Sequence, residues 1–458
     1  GSITRYASRE TGGLRSDAPN NFDMPALEDP IEIRNLELDN RLYRAPLLEH
    51  AGNGDDAVDI LVDELEPSAA GGVGLIMQGA MPVRGGGEGC AAPRMTFAHD
   101  REFVQALAPV PEAVHDHGGR IFAQFGHGGI KSLETWHAGY KEQWSDLKQQ
   151  AVSELPWLWK AFDKLGLMEF DLNVMSTEEV YELAADIGRS ADYAVEAGYD
   201  GIHLAGATMG IFQQFASPFY NDRDDEFGGS LSERAYFFKV VHDEIRERVG
   251  DRPITTKVPA ETDSPWYVRE HITLDEGVEL CRMMEEFGYD AVTPVTESPF
   301  WDQSIIKGNF PDRAWEDDQF ADGYAEAFGG EWKYKLVHTA AKLNARDNDF
   351  NPGWNEDFCR RVRARVDIPV LQVGGIRDRP QIDRLLDSGA CDMVGMGRPF
   401  YAEPRLAARI LHDEDAEVIC ENCNNCIPPQ VTGESGICRT PRVLEKRGEL
   451  EKAGAYDD

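Results

Sequence analysis

Basic charge, long apolar runs and evenly spread cysteines are all scarce in this chain, and each shortage excludes something. Its 458 residues set 46 Lys and Arg against 82 Asp and Glu, a formal charge of −36. So negative a surface repels phosphate backbones and anionic lipid heads, and no local basic patch offsets it; neither nucleic acid nor a membrane surface is an expected partner. No stretch approaches the ~18 apolar residues that a spanning helix needs. The residues from Gly1 to Arg5 lack the charged-then-apolar pattern of a signal, and the expectation is a cytoplasmic protein. Only 13 of the basic residues are lysine. An acid-rich, lysine-poor chain suits concentrated salt, where screening removes self-repulsion. An arginine-favouring genome gives the same composition, so a halophilic source is one of two readings.

What is present is a large potential core, with 41% apolar and 10% aromatic residues. Eight short apolar runs, bounded by Gly, Pro or Asp, predict strands at 42–47, 73–78, 120–125, 201–205, 254–258, 291–295, 369–373 and 393–396. Between them, helical periodicity predicts helices at 56–65, 102–115, 177–197, 231–249, 273–287, 381–388 and 403–411. Asp, Ser or Thr introduces many of these, and Gly198, Gly250, Gly288 and Gly389 follow four. Eight strand-then-helix units predict an α/β fold, a (β/α)8 TIM barrel. A doubly wound sheet is the alternative, weakened because no Gly-x-Gly-x-x-Gly opens a helix after the first strand.

The loops after the seventh and eighth strands read Val373-Gly374-Gly375-Ile376-Arg377 and Gly395-Met396-Gly397-Arg398-Pro399. In a barrel this is where a phosphate commonly sits. Small residues admit it to the backbone amides, and an arginine supplies a forked cation. Two stretches fall outside the repeat. Residues 1–30 are polar and irregular, a predicted surface arm. Residues 300–354 carry Trp301, Phe310, Trp315, Phe320, Tyr324, Phe328, Trp332, Tyr334 and Trp354, too much apolar surface for a solvated linker. This insertion is expected to cover the barrel mouth, with a subunit partner as the alternative; a homo-oligomer is thereby allowed.

Of eight cysteines, Cys90, Cys281, Cys359 and Cys391 are scattered, whereas Cys420, Cys423, Cys426 and Cys438 crowd together. Two residues separate each of the first three, and a fourth thiol returns after a loop, the arithmetic of a [4Fe–4S] site. Zinc more often uses two separated pairs, and is the alternative. The expected organisation is an arm (1–30), a barrel with its insertion (31–412) and a cluster-binding tail (413–458). An iron–sulfur centre beside a phosphate-bearing cofactor suggests a flavin, which joins two-electron substrate chemistry to one-electron carriers.

Several phrases now take on a family resemblance. Asn40-Arg41-Leu42-Tyr43-Arg44-Ala45-Pro46, Gln124-Phe125-Gly126-His127, Gln214-Phe215-Ala216-Ser217-Pro218, Asp225-Glu226-Phe227-Gly228-Gly229-Ser230, Val373-Gly374-Gly375 and Gly397-Arg398-Pro399 resemble the old yellow enzyme family. With the cysteine tail they resemble its iron–sulfur branch, which includes trimethylamine dehydrogenase and 2,4-dienoyl-CoA reductase. The resemblance implies an FMN-dependent oxidoreductase that exchanges a hydride between flavin and a small organic substrate. It implies that Pro46, Leu47 and Ala80 lie beside the flavin ring, that Gln124 bonds its pyrimidine edge, and that Lys257 places a cation near N1 and O2. Gly374, Gly375, Gly397 and Arg398 would hold the phosphate, and the four clustered cysteines the [4Fe–4S] centre.

The departures bear on the reaction. Where alkene reducers carry a His/His or His/Asn pair that grips a carbonyl, this chain has Ala205 and Thr208, and Gly210 replaces a tyrosine proton donor. His203 lies two positions before Ala205, on the same strand face but deeper. Leu48 stands where a cysteine tethers the flavin of trimethylamine dehydrogenase, and Gln430 replaces a tryptophan of its cation cage. Thr208, His203 and Glu297 are the catalytic candidates. Trp301, His50 and Glu49 are candidates at the mouth, where Glu297 with Trp301 could receive a cationic amine; each has an alternative as a core or loop residue. The reading leans to amine dehydrogenation or N-demethylation, with enoate or dienoate reduction and an electron-transfer subunit without substrate chemistry as alternatives. Because the nucleotide-binding domains of larger branch members do not follow Pro441 here, electrons are expected to cross to a separate electron-transferring flavoprotein, ferredoxin or reductase subunit.

Overall fold

The computed structural model describes residues 24–457, apart from 86–87, 91, 133–145, 167–169, 209, 299, 303–305 and 346–349. Most of the expected arm therefore lies outside the described residues.

Eight strands form one parallel sheet: β1 (Leu42–Arg44), β2 (Leu75–Pro82), β3 (Arg120–Gly126), β4 (Gly201–Leu204), β5 (Ile254–Glu261), β6 (Ala291–Glu297), β7 (Leu371–Val373) and β8 (Met393–Met396). Their order is β6-β5-β4-β3-β2-β1-β8-β7. A parallel bridge between Val292 and Val370 joins the two ends, so the sheet is a barrel. Both strand faces are covered, which is why the sequence shows continuous apolar runs rather than alternation. Tyr43 ties β1 to β7 across β8, donating from its hydroxyl to the Gln372 carbonyl 3.2 Å away. Its side chain crosses β8 at Gly395, where a methyl group would stand 2.1 Å from the phenol ring.

The longer helices begin where the sequence places caps. Ser176, Ser230 and Thr273 close capping boxes with Glu179, Glu233 and Glu276, opening α1 (Thr177–Glu196), α2 (Leu231–Val249) and α3 (Leu274–Phe287). Helix α3 ends at Gly288, which adopts φ +98°. Two predicted helices differ. The 102–115 segment is broken into Arg101–Ala106 and Pro109–His115, because Pro109 and Pro111 fit a first turn but not an interior. The 403–411 helix begins only after Pro404, as Leu406–His412, and a separate short helix, Arg398–Ala402, precedes it.

The periodicity also missed two small sheets. A hairpin of Ile31–Ile33 and Leu36–Leu38 packs below β1, and Gln149–Ala151 pairs with Leu172–Val174 beyond β3. Three-residue strands are too short for a hydrophobic period to register. In the insertion, Trp315, Phe320, Tyr324 and Phe328 form their own cluster with Tyr334 and Val431. Its partner is the cysteine tail: the Arg313 guanidinium donates to the Arg439 carbonyl, and Arg439 lies 5.1 Å from the centre of the Phe320 ring.

Replacing Gly395 with Ala should therefore lower the melting temperature, by about 1–3 kcal/mol of overpacking, whereas Tyr43→Phe should cost only about one hydrogen bond, near 1 kcal/mol. Thermal unfolding of the two variants side by side checks the order.

Candidate active site

At the carboxyl end of β1 the chain turns through Ala45-Pro46-Leu47-Leu48. The turn is held at both ends by one buried ion pair, Arg44 Nη1 to Glu49 Oε1 at 2.9 Å, with the side chains 2% and 4% exposed. The other carboxylate oxygen accepts the Gly79 amide at 3.0 Å, tying the turn to β2. Gly79 must be glycine, since a methyl group there would lie 1.6 Å from the Leu47 carbonyl oxygen. Burial pushes the Glu49 carboxyl upward, and the Arg44 charge opposes it. Glu49 is thus a brace under the turn rather than a group at the mouth.

Above this turn opens a cavity of about 380 Å³, within the usual range for small-molecule sites. All nine residues expected to touch FMN border it: Pro46, Leu47, Ala80, Gln124, Lys257, Gly374, Gly375, Gly397 and Arg398. They come from β1, β2, β3, β5 and the loops after β7 and β8. Among the described residues on its wall none is acidic, and Lys257 and Arg398 are the cations. Gln124 Nε2 is buried there with no hydrogen-bond partner, an orphaned donor at the wall. Gly374 and Gly375 adopt φ +111° and +72°. A methyl group on either would strike Trp354 or the 351–353 backbone, so these glycines are needed as much for the packing of the insertion's end as for a ligand. An orphaned amide, a half-buried lysine and a glycine-lined end fit a flat polar ring with a phosphate.

The catalytic candidates are not all brought together. Thr208 borders the cavity at φ +77°, a strained conformation for a β-branched residue. Its amide donates to the Glu297 carboxylate and its hydroxyl to the Ala207 carbonyl. Glu297 is fully buried at the end of β6, behind Thr208. Its charge also opposes the burial that lowers the Lys257 ammonium. Glu261, opposite Glu297 in the β5–β6 register, is pushed up to about 7 by burial. His203 does not border the cavity; its ring is fully buried, with Nδ1 2.8 Å from Thr255 Oγ1. Trp301 donates from its indole to Thr262 Oγ1 and also stands outside the wall. His50 is buried too, with Nδ1 2.7 Å from the Pro93 carbonyl and Nε2 3.4 Å from Gln430 Oε1, so only its neighbour Gln430 reaches the cavity.

Sequence reasoning missed Met95, Ile306, Asn355, Tyr401, Asn422 and Ile427, all on the wall. Asn355 bridges β6 and β7, accepting from the Thr296 amide and donating to the Val373 carbonyl. Its place at the start of a helix, in a loop next to Trp354, was the only available signal. Asn422 and Ile427 belong to the cysteine tail, so that segment forms part of the cavity.

The tail's four cysteines are free of disulfides. Cys420 and Cys426 are buried, and Cys420, Cys423 and Cys438 each act electrostatically on another thiol of the set. Asn422 and Asn424 turn the backbone at φ +55° and +59°, a conformation asparagine tolerates. Among the described residues, no three His, Cys, Asp or Glu stand at metal-holding spacing. The fit to a cluster therefore lies in the chemistry of the donor set, four free thiols on one looped segment, and not in a preformed cage.

The model of the NADH:flavin oxidoreductase / NADH oxidase family matches residues 26–322 and 317–417. The chain belongs to this family. The family is one of flavin-dependent oxidoreductases, and its cofactor is FMN. The chain is similar to the N,N-dimethylglycine/sarcosine dehydrogenase of Chromohalobacter salexigens, 27% identical over 416 residues, covering 90% of this chain and 52% of the relative. It is also similar to the cinnamate reductase of Clostridium sporogenes, 26% identical over 421 residues and covering 87% and 54%. The chain thus spans about half the length of these relatives. Among solved structures, a 2-naphthoyl-CoA reductase complex superposes with a TM-score of 0.70 at 17% identity, covering 94% of this chain and 58% of that one; it shares the fold. No helix among the described residues is long and apolar enough to cross a membrane.

The brace under the flavin turn gives a direct prediction. Glu49→Ala leaves the Arg44 charge buried without its partner and should cost about 3–5 kcal/mol, read as a lowered denaturant midpoint. Glu49→Gln, which keeps the acceptor for Gly79, should cost less.

Proposed function

We propose that this family member oxidises a small N-methylated or secondary amine, with FMN in the barrel cavity and a [4Fe–4S] centre on Cys420, Cys423, Cys426 and Cys438. Electrons would leave to a separate protein carrier, an electron-transferring flavoprotein, ferredoxin or reductase subunit. The observation that carries the direction is Thr208: its N–H and O–H are both taken within the protein. With Ala205 beside it, the described part of the rim above β4 offers no side-chain donor to grip and polarise a substrate carbonyl, as an alkene reducer needs. FMN, when bound, supplies hydride exchange with a substrate and single-electron exchange with a centre such as the cluster.

The chain's own residues do the rest. Gln124 would hold the polar edge of the ring with the amide left without a partner in the wall, and Lys257 would set a cation beside it. Pro46, Leu47 and Ala80 would form a floor for the ring, and the glycine loops after β7 and β8 would admit the phosphate. Leu48, Met95, Val295, Ile306 and Ile427 exclude water from the substrate side. Since no carboxylate among the described residues borders the cavity, a cationic ammonium has no partner on that wall, and the amine binds as its free base with its lone pair available. The relatives that act on dimethylglycine and on cinnamate bracket the two directions without choosing between them.

Three measurements follow. Anaerobic mixing with sarcosine or dimethylglycine should bleach the flavin absorbance; no bleaching by amines, together with reoxidation of the reduced protein by cinnamate, would reverse the assigned direction. Catalytic efficiency should rise with pH as the substrate ammonium loses its proton, since only the neutral amine enters. Gln124→Leu should weaken FMN binding roughly tenfold, the loss of about one hydrogen bond of 1.4 kcal/mol, measured by the return of free-flavin fluorescence on dilution.

A further inference from the structure

The two loop arginines expected to clasp the phosphate are turned towards the cysteine tail. Arg398 donates from Nη1 to Asn424 Oδ1 and from Nη2 to the Lys307 carbonyl at 2.9 Å. Asn424 in turn donates to the Ile306 and Asn309 carbonyls, at 2.8 and 3.1 Å. Arg377 reaches Asn422 Oδ1 at 3.3 Å. Both asparagines lie between clustered cysteines, and Gly308 packs so closely on Asn422 that a methyl group would stand 2.2 Å from its carbonyl oxygen. One guanidinium therefore fastens together the loop after β8, the loop after β6 and the cysteine segment, while bordering the flavin cavity.

We infer that Arg398 is a positioning residue that couples the cavity to the cysteine centre, its charge raising the reduction potential of the cluster and so drawing electrons out of the flavin site. The inference rests on the [4Fe–4S] reading above. A cation beside a centre that becomes more negative on reduction favours the reduced form, and the effect is large where water is excluded. The group that Arg398 meets on the cysteine segment is a neutral asparagine, which leaves its charge uncancelled, whereas a carboxylate at position 424 would cancel it. This arrangement also gives a use for a net charge of −36: a surface of that sign disfavours reduction, and a local cation restores it.

The test is an anaerobic redox titration of the intact holoprotein, following the cluster by electron paramagnetic resonance and the flavin by its absorbance. Arg398→Gln should lower the cluster potential enough to shift the flavin–cluster electron distribution about tenfold away from the cluster, 59 mV for one electron. Arg398→Lys, which keeps the charge, should return most of that shift. Should Arg398→Gln release its FMN, Asn424→Asp stands outside the cavity wall, neutralises the guanidinium and should lower the potential in the same direction. Unchanged cluster potentials in Arg398→Gln or Asn424→Asp, with iron at full occupancy, would overturn the role of Arg398 alone. An unsubstituted protein that binds no iron would overturn the cluster reading, and this inference with it.

Discussion

The buried pair of Arg44 and Glu49 is the constraint on which the site depends. A charge buried beneath a barrel strand is costly unless paired and hydrogen-bonded, and here each partner has the other, with Gly79 satisfying the second carboxylate oxygen. The pair shapes the chain as well as satisfying it. By joining residues five apart it forces the four between them into a tight turn, whose Pro46 and Leu47 become the floor of the cavity. Tyr401 supports the same turn from the far side, donating to the Leu48 carbonyl at 2.9 Å. The barrel supplies the strands, but this small polar brace decides what they present.

A second constraint acts at the opposite wall. Glu297 holds Thr208 in a left-handed conformation costing about 1–3 kcal/mol, and its charge acts on the same half-buried lysine that borders the cavity. In both places a carboxylate that resembles a substrate ligand in the sequence serves the backbone. The result is a cavity whose described wall carries cations and apolar groups inside a strongly acidic chain, so the negative total belongs to the outside.

The barrel was legible because its strands are buried on both faces and its helices open with Ser or Thr three residues before Glu. The cavity wall was legible because proline, glycine and glutamine at strand ends have few other reasons to be there, and Pro46, Gln124, Gly374, Gly375 and Gly397 meet with the other four expected residues at one cavity. His203, His50, Glu49 and Glu297 were not legible in the same way. A histidine or glutamate beside a strand end reads alike whether it faces a ligand or a buried backbone amide, and only the contact made by a distant segment, such as Gly79 or Thr255, decides. The tail's share in the cavity wall was hidden for the same reason: cysteine spacing speaks of a metal and says nothing of what the intervening asparagines touch.

The central claim is that one chain joins a flavin cavity to a four-thiolate iron–sulfur centre across a shared wall. The most direct measurement is the cofactor content of the anaerobically purified protein, by metal analysis and visible spectrum together. The account predicts one FMN and about four iron atoms per chain, with flavin bands riding on broad iron–sulfur absorbance. A yellow protein with flavin bands alone, with zinc or no metal on its cysteines, would contradict it.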